Sequence, residues 1–105
     1  MFTGRVTDPE LARAVGVAMP GLVASLASWG VIRGHWLPDT DGVPALWLTT
    51  RTEAQRDVLE TAYWLPNQVR LLLMRAQIPH EQTRRLRVLL ASEEGEQRLL
   101  EEAGF

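Results

Sequence analysis

Few side chains in this sequence have the type and spacing that catalysis needs. Three serines, Ser25, Ser28 and Ser92, and two histidines, His35 and His80, are the conventional nucleophile and base candidates. None sits in a nucleophile elbow, an HExxH helix or a glycine-rich phosphate loop. Ser25 and Ser28 fall in an alanine-rich helical stretch, and Ser92 precedes two glutamates, where it reads as a helix cap. Asp39 and Asp41 could hold a cation, but the further oxygen ligands of a calcium loop are missing, so they read as turn residues. There is no cysteine. Disulfides, thiolate metal sites and cysteine nucleophiles are therefore excluded, and two histidines alone do not make a zinc site. The sequence accordingly points to no catalytic residue, no metal and no cofactor.

The remaining chemistry is cationic and aromatic. All 11 basic residues are arginine, which reads first as codon bias in a GC-rich, bacterial genome. The net charge of −2 conceals an asymmetry. From Glu93 to Phe105 five Glu oppose Arg98, for −4, which leaves +2 on Met1 to Ser92. Within the latter, Val69 to Ser92 holds five Arg against Glu81, for +4. A basic body therefore carries an acidic end.

What must position these groups is a chain of 105 residues, 46% hydrophobic and 23% charged, the make-up of one ordinary globular domain over 1–105. Met1 to Thr7 alternates as a short strand. Asp8-Pro9-Glu10 is a helix start, and Val15, Met19, Leu22, Leu26 and Trp29 follow as one apolar stripe. Pro20-Gly21 is expected to kink or split that helix. Ala14 to Ile32 is uncharged and long enough to span a bilayer, yet its Ala, Gly and Ser content, its Pro-Gly break and its acidic flank favour a buried helix, with neither membrane nor export signal.

Val31–Leu37 and Val43–Thr50 flank the turn Pro38-Asp39-Thr40-Asp41-Gly42, predicting a hairpin with Leu37 facing Val43 and Arg33 facing Trp47. Thr52 and Gln55 form a capping box for a helix whose stripe is Val58, Leu59, Ala62 and Leu65. Residues 68–77 read as a further helix, with a strand over 69–74 as the rival. Residues 85–91 read as a strand, with a helix as the rival, and a last helix begins at Ser92 and stops near Gly104. Val43 to Tyr63 and Leu86 to Phe105 both read strand then helix, and they align at an offset of 41 residues as one β-α unit used twice.

The order is βαββαβ plus a C-terminal helix, which resembles the ferredoxin-like (split βαβ) layout: an α+β fold with helices on one face of a four-stranded antiparallel sheet. The resemblance is one of layout, with no signature motif, and implies no activity. It would place Arg5, Arg33, His35, Trp47, Arg85, Arg87 and Leu89 together on the sheet face away from the helices. Three uses of that surface follow. A cytoplasmic, non-catalytic binding or regulatory module could self-associate through it as a homodimer, or take a protein partner, with Arg33 lying on Trp47 or answered by the chain's own acidic helix. An anion or single-stranded nucleic acid could stack on Trp47 and pair its phosphates with arginine. A small-ligand sensor is the third. Trp29 and Trp36 read as core; Trp64 reads as core or contact.

Overall fold

The computed structural model describes residues 9–38, 44–78, 83–84 and 86–104. Among them, four α-helices and three strands build a mixed α+β fold. The order is α1 (Pro9–Ser25), a short 3-10 helix (Ala27–Trp29), β1 (Val31–Pro38), β2 (Pro44–Thr50), α2 (Glu53–Glu60), α3 (Leu65–Arg75), β3 (Arg87–Ser92) and α4 (Glu93–Glu102). The expected first strand, residues 1–7, lies outside the described residues.

The ferredoxin-like arrangement is not what the described residues form. Their sheet has the order β1-β2-β3, with β1 and β2 antiparallel. β2 and β3 are hydrogen-bonded directly and run parallel, Leu46 beside Val88 and Leu48 beside Leu90. The layout expected from the sequence keeps these two strands apart, with the first strand between them. The physical reason is the crossover: α2 and α3 together give the chain ample length to return to the starting end of the sheet, as parallel pairing requires.

The two β-α units therefore stand side by side and start their helices at the same end of the sheet. Their strands align at an offset of 42 and their caps, Thr52 and Ser92, at 40, so the offset of 41 read from the sequence falls between the two.

α1 runs unbroken through Pro20. The expected split does not occur, because Pro20 and Gly16, the residue whose carbonyl loses its partner, are both exposed and water can take up that carbonyl. Val15 and Leu22 of α1, and Leu26 just beyond its end, are buried in one core with Leu46 and Leu48 of β2. α1 also lies close over Gly34, where an added Cβ would come within 2.8 Å of Met19 Sδ. Leu59 of α2 and Leu65, Val69 and Leu73 of α3 close the same core. The stretch 69–74 is thus helix and not strand, while 87–92 is strand. Val58, expected in the buried stripe, is exposed. No helix among the described residues is long and apolar enough to cross a membrane.

Candidate contact surface on the open sheet face

Alternation along the strands divides the sheet into two faces. Trp36, Leu46, Leu48, Val88 and Leu90 face the helices and belong to the core or pack against it. The other face carries three cross-strand rows: Leu37–Ala45–Arg87, His35–Trp47–Leu89 and Arg33–Thr49–Ala91. Of the surface read from the sequence, Arg33, His35, Trp47 and Arg87 lie on this face. Arg5 and Arg85 lie outside the described residues, as do His80, Asp39 and Asp41.

Trp47 sits at the centre, half-buried, with exposed His35 on one side and half-buried Leu89 on the other. The hairpin register differs from the expected one by two residues. Pro38 pairs with Pro44, which sets His35 rather than Arg33 opposite Trp47, and an irregularity follows between Val31 and Arg33. A shift of two preserves the face of every side chain and changes only its neighbour.

That change decides what Arg33 does. Instead of lying across Trp47, it donates to Glu96 at 2.7 Å and to Glu93 at 3.4 Å, both on α4. Because β2 lies between β1 and β3, this pairing spans the β2 end of the face, and Thr49 there is fully buried. The acidic end of the chain thus answers one of its own arginines. Thr49 Oγ1 is the one buried side-chain polar atom among the described residues without a hydrogen-bond partner.

The junction holding α4 in place is built from short polar side chains. Thr52 Oγ1 accepts from the Gln55 amide at 3.2 Å and Gln55 Oε1 accepts from the Thr52 amide at 3.0 Å, the capping box expected from sequence. Ser92 Oγ accepts from the Gly95 amide at 2.8 Å and donates to Glu53 Oε1 at 2.9 Å. Glu94 Oε1 in turn accepts from the Glu53 amide at 3.2 Å. The Glu53 carboxyl is held below its ordinary pKa, first by the Ser92 hydrogen bond, with burial opposing and Arg56 and Arg98 assisting. The N-terminus of α2 is thus served by the Glu94 carboxylate, and that of α4 by the Ser92 hydroxyl and the Arg51 carbonyl, which takes the Glu94 amide.

No group of three or more His, Cys, Asp or Glu side chains among the described residues could hold a metal. Ser25 Oγ donates back to the Gly21 carbonyl at 2.9 Å, and Ser92 is occupied as a cap. The surface carries an indole, flanking aliphatic side chains and a charged rim.

Sequence reasoning missed a second aromatic patch. Trp29, expected in the core, is 43% exposed and packs against Trp64 with ring centroids 5.0 Å apart. Tyr63 beside it is 91% exposed. The signal was Gly30, whose φ of +93° ends the 3-10 helix immediately after Trp29 and turns the chain into β1. Trp29 therefore leaves the α1 stripe. No protein-family model, curated protein or solved structure matches this chain.

Proposed function

We propose that this chain is a non-catalytic binding or regulatory module that self-associates through the open sheet face, with Trp47 at the centre of the contact. The observation carrying this reading is the His35–Trp47–Leu89 row. It presents an indole and a leucine, both half-buried, on the side opposite the core-forming helices among the described residues, flanked by Leu37 at 46% exposure. Aromatic residues ringed by polar groups are where binding energy concentrates. The cysteine-free, arginine-only composition fits a cytoplasmic bacterial setting for such a module.

Light scattering across a dilution series tests it. Trp47→Ala should weaken the dimer by about 2 kcal/mol or more, roughly thirtyfold in dissociation constant. A monomer at all concentrations, or a dimer indifferent to Trp47→Ala, removes the proposal.

The single-stranded nucleic-acid reading is weakened by Arg33, whose guanidinium is already held by two carboxylates. Titrating a labelled oligonucleotide at two salt concentrations decides it, since phosphate contacts must weaken steeply with salt. The small-ligand reading finds support in a cavity of about 330 Å³ between α1 and α3, floored by Ala18, Leu22, Leu72 and Leu73 with Arg75 among its lining residues. Thermal-shift screening with amino acids and nucleotides tests it.

A further inference from the structure

The cavity between α1 and α3, about 330 Å³, is an apolar groove with a single charge. Leu22 and Leu73 at its floor are buried in the core, whereas Val17, also lining it, is 78% exposed. On α1 the lining runs from Val17 to Ser25, a length of about 12 Å, so the groove suits an elongated occupant. α3 does not close over Gly21, where an added Cβ would meet no atom within 4 Å.

Charge identifies that occupant. Among the described residues lining the groove, Arg75 is the one ionisable side chain, with no acid beside it. It is exposed, and its guanidinium has no hydrogen-bond or ion-pair partner, whereas Arg33, Arg56 and Arg70 each hold acceptors of the chain. A guanidinium fork fits one carboxylate through two parallel hydrogen bonds, and a lone cation balances a monoanion rather than a phosphate dianion. Ser25, the other polar side chain lining the groove, donates its hydroxyl to the Gly21 carbonyl at 2.9 Å. A sugar or a base would therefore find few donors here, and a hydrocarbon chain needs none. At the end of α3, the carbonyls of Leu72, Leu73 and Met74 are taken by the amides of Ala76, Gln77 and Ile78, which lessens their repulsion of an anion at Arg75.

We propose that this groove binds an unbranched aliphatic monocarboxylate, its head paired with Arg75 and its chain laid along α1 over Ala18, Gly21 and Leu22. The inference names the ligand class for the small-ligand reading of the same cavity and rests on it; the open sheet face takes no part.

Calorimetric titration with octanoate and with octanol, which shares the chain but not the charge, tests the pairing. Octanoate should bind the unmodified protein about fivefold or more tightly than octanol, and the gap should shrink at high salt. Arg75→Gln should abolish the gap and leave octanol binding unchanged. Gly21→Leu fills the groove from an exposed helical position whose φ is not positive, so circular dichroism should show the fold retained. Both probes should then bind about tenfold or more weakly.

Equal affinity for the two probes, or a gap that survives Arg75→Gln, overturns the carboxylate assignment and leaves the small-ligand reading to its own screen. Binding of neither probe overturns it as well. Undiminished binding by a folded Gly21→Leu places the ligand elsewhere and removes the site. Loss of self-association in Gly21→Leu, read by the same dilution series as Trp47→Ala, assigns the groove to a second copy of the chain and also overturns the proposal.

Discussion

Replacing Ser92 by alanine perturbs the junction of both β-α units through a single oxygen. That Oγ is the N-cap of α4, accepting from the Gly95 amide at 2.8 Å, and it also donates to Glu53 Oε1 at 2.9 Å. Ser92 is 3% exposed, so water does not readily replace either bond. Loss of a serine N-cap costs about 1 kcal/mol, within a range of roughly 0.5–2. For a domain of this size that lowers Tm by about 4–8 °C.

The second consequence is a change in titration. The folded-state pKa of Glu53 is depressed, with Ser92 the leading cause. A depressed carboxylate adds stability above its unfolded pKa and loses that contribution as pH falls through the folded value. Ser92→Ala should therefore raise the Glu53 pKa toward the ordinary carboxylate value. The stability gap between wild type and variant should be widest near neutrality and narrow in acid. Thermal unfolding at several pH values, with NMR titration of the Glu53 carboxyl, measures both. Ser92→Thr, which keeps an acceptor, should restore most of the cap. An unchanged Glu53 titration in Ser92→Ala would refute the assignment of cause, and an unchanged Tm would refute the cap.

Other substitutions probe the remaining supports. Gly95→Ala should lower Tm and raise the Glu53 pKa, because a Cβ there would collide with the Glu53 carboxylate and lie 2.8 Å from Ser92 Oγ. Gly30→Ala should cost about 1–2 kcal/mol in chemical denaturation, since φ is +93° and the new Cβ would strike the Gln55 side chain of the capping box. Leu48→Ala, at a fully buried core position, should cost about 2–5 kcal/mol by the same measurement. Thr49→Val should be neutral or stabilising in thermal unfolding, because it replaces a buried hydroxyl that has no partner among the described residues. Arg33→Ala should cost under about 1 kcal/mol, its ion pairs being roughly half exposed.

The sequence by itself determined what is local. Period-two alternation set Arg33, His35, Trp47 and Arg87 opposite the apolar residues of their own strands, and burying those apolar residues under one set of helices puts all four on the other face. Cap chemistry placed the starts of α2 and α4 at Thr52 and Ser92, because a cap is a bond between residues three apart. The apolar stripe likewise marked Val15, Leu22 and Leu26 for the core.

Tertiary structure decided everything that joins distant segments. The parallel pairing of β2 with β3 could not be read from either strand, since both sequences suit either neighbour and only the α2–α3 crossover and the shared core select one. The two-residue difference in hairpin register also escaped alternation, which is blind to shifts of two. That difference gave Trp47 to His35 and left Arg33 to the acids of α4, 60 and 63 residues further along the chain. Side-chain parity is a property of neighbouring residues, whereas pairing is a property of the packed whole.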